Sequence, residues 1–252
     1  MITINGINTF VTITGRGKPL LCLHGWGASH ESFTELRSVM KNDPVQIVAP
    51  DLPGFGKTSE PETAWSVDDY ADFVEALVKE LKLNDVLLLG HSFGGRISIK
   101  LSARKLPCIK HLFLCASAGL RQKRYFKREL SHRISKCGKA VLSLPGLGLF
   151  IRPIKKLFYK VLRVHDYEQA TPGMRETMIK VINEDLEPFL EKIEVPTNLF
   201  WGEEDRITPI ADSELMNKKI VQAKLYKFPN VRHGVHRDKA KEISDVIRSI
   251  LP

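Results

Sequence analysis

The chain is 252 residues long, 43% hydrophobic, and carries a formal charge of +9. That length and apolar content suffice for one large core, and the opening Met1-Ile2-Thr3-Ile4-Asn5-Gly6 has neither the basic start nor the apolar run of a secretory signal. The longest nearly uncharged stretch, Ala140 to Ile151, falls far short of the ~20 residues of a spanning helix and is broken by Pro145, Gly146 and Gly148, so a soluble, cytoplasmic chain is expected.

In chain order, Ile2-Thr3-Ile4, the turn Asn5-Gly6 and Ile7 to Thr14 read as a hairpin, with apolar and polar residues alternating about a favoured two-residue turn. Short apolar runs follow at Leu20 to Leu23, Val45 to Ala49, Val86 to Leu89, His111 to Cys115, Asn198 to Trp201 and Lys224 to Phe228. Runs apolar on both faces predict parallel strands covered by helices on both sides. Between them, Phe33 to Met40, Val67 to Leu81, Gly94 to Lys105, Ala211 to Lys218 and Lys239 to Ile250 have apolar residues at helical spacing. In Val67 to Leu81 the stripe is Tyr70, Phe73, Val74, Leu77, Val78 and Leu81, opposite Asp72, Glu75 and Lys79. Alternating strands and helices predict an α/β chain with a mostly parallel central sheet.

The alternation stops between Gly119 and about Leu190, where breaks at Pro145-Gly146, Pro153 and Pro172-Gly173 separate helix-like segments. The expected organisation is a core of residues 1–118 and 191–252 with an all-helical insertion at 119–190. The excess charge is confined to this insertion. Arg121 to Arg163 holds 13 Lys/Arg and one acid, a net +12, while the remainder has 25 basic and 28 acidic residues, a net −3. Basic residues interleaved with Tyr125, Phe126, Phe150, Phe158 and Tyr159 read first as a solvated face on a packed segment, and second as weak attraction to an anionic membrane surface. No aromatic-basic motif of a nucleic-acid module is present, so no nucleic-acid partner is expected. Cys22, Cys108, Cys115 and Cys137 form neither a CxxC pair nor a zinc pattern, and Cys22 and Cys115 lie in strand-like runs where cysteine acts as a small hydrophobe.

The chemistry is concentrated at three strand ends. Val86 to Leu89 runs into Gly90-His91-Ser92-Phe93-Gly94, followed by a helical pattern. This G-x-S-x-G sequence makes a strand turn sharply into a helix and presents the serine at the turn, with glycines where backbones pass closely. A serine hydroxyl needs a base, and the base an orienting acid. Asp205 follows the run ending at Trp201, and His233 follows the run ending at Phe228. The order Ser92, Asp205, His233 is the order of nucleophile, acid and base on this type of sheet. Taken singly, Asp205 reads equally well as a loop aspartate or helix cap, and His233 as a solvated loop histidine.

With His24-Gly25-Trp26-Gly27-Ala28-Ser29, Asp51-Leu52-Pro53-Gly54-Phe55-Gly56-Lys57-Thr58-Ser59, the elbow, Trp201-Gly202-x-x-Asp205 and the late histidine, the chain resembles the α/β-hydrolase superfamily over essentially its whole length. The resemblance implies an α/β-hydrolase fold with an inserted helical cap. It implies an oxyanion hole from the backbone N–H groups of Trp26 and Phe93, and a loop-shaping role for Asp51 to Ser59. Two positions depart from the pattern. Arg232 stands where similar enzymes often have glycine before the histidine, and His236 is a rival base three residues on, with His233 preferred for its spacing to Asp238 and the final helix. Ala116-Ser117-Ala118-Gly119 offers no alternative acid, which favours Asp205.

The activity the resemblance implies is hydrolysis of a small-molecule carboxylic ester, with an apolar acyl group, through an acyl-enzyme and without metal or organic cofactor. The serine argues against relatives with a nucleophilic aspartate, such as epoxide hydrolases and haloalkane dehalogenases. Carbon–carbon bond and lactone hydrolases, a membrane-surface lipase or lysophospholipase, and a non-catalytic binding protein of this fold stay open as alternatives.

Overall fold

The computed structural model describes residues 1–120 and 170–251. The basic run Arg121 to Arg163 and Cys137 lie outside the described residues, as does most of the expected cap.

The N-terminal hairpin forms, but its second arm divides. β1 (Ile2–Ile4) pairs antiparallel with β2 (Ile7–Thr9) across Asn5 and Gly6, at φ 47° and 81°. Both are left-handed, as a tight hairpin turn requires. At Phe10 the chain leaves this pair. Its N–H donates to Thr58 Oγ1 at 2.9 Å and its carbonyl accepts from Asp51 N–H at 2.9 Å. Alternation in the sequence could not show that these loop partners capture Phe10.

The remaining strands form one seven-stranded sheet, in the order β3 (Val11–Gly15), β5 (Val45–Pro50), β4 (Lys18–Leu23), β6 (Val86–His91), β7 (Ile109–Cys115), β8 (Thr197–Gly202) and β9 (Ala223–Phe228). Only β3 is antiparallel to its neighbour. Successive strand residues feed opposite cores, which is why these runs are apolar throughout. Leu21, Leu23, Leu88, Leu114 and Trp201 pack on one side with α2 (Val67–Glu80) and α3 (Phe93–Ala103). Leu20, Cys22, Leu89, Cys115 and Phe200 pack on the other with α1 (Thr34–Val39) and the C-terminal helix Ala240–Arg248. Burial pushes the Cys22 and Cys115 thiols far above their usual pKa, as expected of cysteines used as apolar filler.

Helix boundaries follow their caps. α2 starts at Ser66, whose hydroxyl accepts from Asp69 N–H while the Asp69 carboxylate accepts from Ser66 N–H. The segment read as Phe33 to Met40 opens one turn earlier, as a 3-10 turn at His30–Phe33. Ahead of β8, α4 (Pro172–Asn183) begins on Thr171 and α5 (Glu187–Leu190) follows, with Leu186 and Leu190 buried in the main core. Pro172, a break in the sequence pattern, is the first residue of α4, where no N–H is needed. α6 (Ile210–Lys219), α7 (Val235–Asp238) and α8 (Ala240–Arg248) complete the chain. Among the described residues no helix is long and apolar enough to cross a membrane.

Candidate active site

Because β4, β6, β7, β8 and β9 are parallel, the loops leaving their carboxyl ends share one edge of the sheet. Trp26 follows β4, Ser92 follows β6, Asp205 follows β8 and His233 follows β9. Ser92 sits on the central strand of the seven, the position furthest from either sheet edge.

The elbow is strained where the sequence expects it. Ser92 has φ 52° and ψ −108°, outside the regions open to ordinary L-residues, a state worth of order 1–3 kcal/mol. The neighbouring backbone fixes it in place. Ser92 N–H donates to Cys115 O at 3.1 Å, and Ser92 O accepts from Gly95 N–H and Ala118 N–H at 3.0 Å each. Gly94 N–H reaches across to His24 O at 3.0 Å. A Cβ on Gly94 would lie 2.1 Å from Leu23 O, and one on Gly90 2.4 Å from Ser98 Oγ, so both elbow glycines are set by close approach. Ser92 Oγ itself makes no hydrogen bond among the described residues, so the serine–histidine contact is not formed in this conformation.

Asp205 and His233 are joined. The side chain of Asp205 is fully buried and that of His233 20% exposed, with His233 Nδ1 donating to Asp205 Oδ2 at 2.7 Å. Asp205 Oδ2 also accepts from Thr208 Oγ1 at 2.8 Å, while Oδ1 accepts from Ile207 N–H at 2.8 Å and Thr208 N–H at 3.1 Å. Burial pushes the Asp205 carboxyl up. The bond and charge of His233, the Thr208 hydroxyl and the Ile207 N–H outweigh it and hold the acid below its ordinary range. With Nδ1 as donor, Nε2 of His233 is left as the acceptor a base requires. His236, the rival base, is buried, and neither of its ring nitrogens has a partner among the described residues. Burial, with help from Arg237 and His233, pushes it down to about 3. The geometry therefore pairs His233, and not His236, with the acid.

The N–H groups of Trp26 and Phe93 make no hydrogen bond among the described residues. Phe93 is the first residue of α3, where helix N–H groups have no intrahelical partner and the macrodipole favours negative charge. His24 shapes the Trp26 loop. Its Nε2 accepts from Leu52 N–H at 2.9 Å, so Nδ1 carries the proton and donates to Gly25 O at 2.8 Å. Burial pushes His24 down to about 4, so at neutral pH it is an uncharged strut. The Trp26 ring packs edge-on against Phe55 and Phe93, with centroids at 4.8 and 5.2 Å. Asp51 accepts from His30 N–H and Nδ1 at 2.7 Å each and from Lys57 N–H at 2.9 Å, which braces the Asp51 to Ser59 loop.

Thr208 was not singled out in the sequence. A hydroxyl three residues after the acid is the signal that marks it, though helix starts carry that pattern too. His91 was read only as the variable residue of the elbow.

A family model described as the alpha/beta hydrolase fold matches residues 18–240. AB hydrolase superfamily protein YisY of Bacillus subtilis is 26% identical over 260 residues, covering 96% of this chain and 94% of the relative. A 2-hydroxy-6-oxo-2,4-heptadienoate hydrolase of Pseudomonas putida is 23% identical, covering 100% and 95%. Among solved structures, the esterase EaEST of Exiguobacterium antarcticum superposes with a TM-score of 0.76 at 25% identity, covering 99% of this chain and 98% of its own. The chain belongs to the alpha/beta hydrolase fold family.

Proposed function

We propose that this chain is a serine hydrolase that cleaves carboxylic esters of apolar acyl groups through an acyl-enzyme. The observation that carries the reading is the strained Ser92 elbow on the same sheet edge as the 2.7 Å Asp205–His233 pair. In this reading His233 Nε2 takes the Ser92 hydroxyl proton as Oγ bonds to the ester carbonyl carbon. The carbonyl oxygen gains the negative charge and is held by the Trp26 and Phe93 N–H groups, each such donor typically worth about 3 kcal/mol of barrier. His233 returns the proton to the departing alkoxide. Water, deprotonated by His233, then attacks the acyl carbon and frees the acid and Ser92. Asp205 keeps the imidazole in its Nδ1–H form and faces the charge it acquires. No step calls for a metal or organic cofactor.

A second reading, hydrolysis of a carbon–carbon bond next to a ketone, is favoured by the likeness to the Pseudomonas putida hydrolase. The test is hydrolysis of p-nitrophenyl esters from acetate to palmitate by wild type and Ser92→Ala. Turnover lost in Ser92→Ala supports the ester reading, and the preferred chain length sizes the acyl site. Turnover that survives the substitution sinks it. No ester turnover, with Ser92-dependent cleavage of a 2-hydroxy-6-oxodienoate, selects the second reading.

A further inference from the structure

His91 lies between Gly90 and Ser92, and its surroundings tie together the three segments the reaction needs. As the last residue of β6 it points, like Leu87 and Leu89, to the side of the sheet covered by α1, α7 and α8. Its Nε2 lies 3.1 Å from the backbone carbonyl of His233. A carbonyl only accepts, so Nε2 carries the proton and donates. The ring packs against His233 with centroids 4.9 Å apart and against His236 of α7 at 3.7 Å, the two planes tilted by 33°, and Phe33 meets His236 edge-on at 5.8 Å. On the opposite edge, a Cβ on Gly25 would lie 3.0 Å from His91 Nδ1 and 3.4 Å from Ser92 Cβ. The glycine after His24 is thus small because His91 and Ser92 occupy the space its side chain would take.

His91 Nδ1 and both ring nitrogens of His236 have no partner among the described residues. A methionine would fill the same volume without burying bare polar atoms, so packing alone does not account for an imidazole here. The bond from Nε2 to His233 does.

We propose that His91 is a positioning residue. In its Nε2–H form it straps the backbone of His233 to the residue beside Ser92, which sets the approach of the base to the nucleophile. His236 is the ring against which the His91 imidazole rests. The claim rests on the hydrolase reading for its catalytic consequence, while the strap itself is a property of the fold. Since the serine–histidine hydrogen bond is not yet made here, its formation depends on where the His233 backbone is held, and a displacement of about 1 Å in such a geometry can cost of order 100-fold.

The test compares His91→Gln, His91→Asn and His91→Met in the full chain. The Gln amide nitrogen reaches where Nε2 does, the Asn amide nitrogen only where Nδ1 does, and Met supplies bulk without a donor. Two readouts are taken: the rate at which a fluorophosphonate labels Ser92, with kcat and KM for the preferred ester, and backbone hydrogen exchange across 230–234. The expected result is that Met and Asn slow labelling and kcat by about 10- to 100-fold with KM within about twofold. Exchange at 230–234 accelerates in the same two variants, and Gln restores both readouts. Wild-type labelling and exchange in His91→Met, or no advantage of Gln over Asn at equal thermal stability, overturns the proposal. If His91→Met does not fold, the Gln–Asn comparison decides. If wild type is never labelled, the hydrolase reading falls by itself, and exchange still decides the strap: faster in Met or Asn but not in Gln upholds it, unchanged in all three refutes it.

Discussion

Thr208→Val removes one hydroxyl and almost nothing else, and the structure states what that hydroxyl does. Thr208 is buried, and its Oγ1 lies 2.8 Å from Asp205 Oδ2 and 3.2 Å from Ala116 O. Its single proton goes chiefly to the nearer, charged acceptor. A hydrogen bond to a buried charge contributes about 1.5–3 kcal/mol, which at about 2–4 °C per kcal/mol is a fall in Tm of roughly 3–12 °C for a chain of this size. The sign against pH follows from the direction of the Asp205 shift. Its pKa is held below the ordinary carboxylate value of about 3.9, so the contribution is fully present above that value and is lost as pH falls through the lower, folded one. The gap between wild type and Thr208→Val is therefore widest at neutral pH and narrows on acidification. Activity should fall less than stability. The two N–H donors on Oδ1 still aim the carboxylate, and His233 keeps its acceptor, so a drop of under tenfold in kcat, below about 1.4 kcal/mol of barrier, is expected. The assay is thermal unfolding at several pH values beside ester kinetics, with Thr208→Ser as the control that restores the hydroxyl. An unchanged Tm at neutral pH, or a valine variant equal to Thr208→Ser in stability and pH response, refutes the argument.

Asp205→Asn keeps the shape of the acid but puts an amide N–H₂ opposite His233 Nδ1. The imidazole turns to its Nε2–H form, and kcat should fall by about 10⁴-fold with little change in KM, as measured on the same esters. Gly94→Ala should lose Ser92 labelling and lower Tm, because its Cβ would meet Leu23 O at 2.1 Å and the elbow must shift. Gly173→Ala, in α4 with nothing within 4 Å of the added carbon, should gain up to about 1 kcal/mol in denaturant unfolding.

What the sequence made legible is what has a local cause. Each core strand was visible because both of its faces are covered, and the Ser92 elbow because only glycine tolerates backbone within 3 Å on either side. The divided hairpin arm was not visible. Phe10 is held by Thr58 and Asp51, 48 and 41 positions away, and no periodicity encodes that. Asp205 and His233 were legible as residues at strand ends, but their pairing needs β8 and β9 adjacent and parallel. The preference for His233 over His236 could rest only on spacing, for a related reason. Both lie in one short stretch, and only three-dimensional placement sends one to the acid and the other beneath the elbow. His91 is unreadable as functional for the same cause, since its partner His233 is brought near by another strand, while Thr208 acts on an acid three residues away through a pattern that helix starts share.

The segment 170–190 shows how residues away from the site can be joined to the helix that follows Ser92. α3 carries Phe93 at its N-terminus and Arg96, Lys100 and Arg104 along one flank. Arg96 donates to Glu184 O at 2.9 Å, the carbonyl just past the end of α4, where a cation meets the negative end of the helix. Lys100 pairs with the Glu184 carboxylate and, at 2.8 Å, with Asp68 of α2, while its ammonium lies 4.0 Å over the Phe189 ring. Arg104 reaches Asp72 and Glu75. Burial pushes the Arg96 guanidinium down to about 10, against the opposing pull of Glu184 and Asp185, and it stays charged at any working pH. The segment 184–189 is thus clasped to α3, the helix that begins at Phe93. Arg104, two turns further along, joins that helix to α2 through acids that reach water, where ion pairs contribute little. Arg96 and Lys100 are buried, so removing Lys100 leaves the Glu184 carboxylate without its cation, and removing Arg96 leaves the Glu184 carbonyl without its donor. Residue 184 is therefore tied to α3 at two places, by Arg96 one turn from Ser92 and by Lys100 one turn further along.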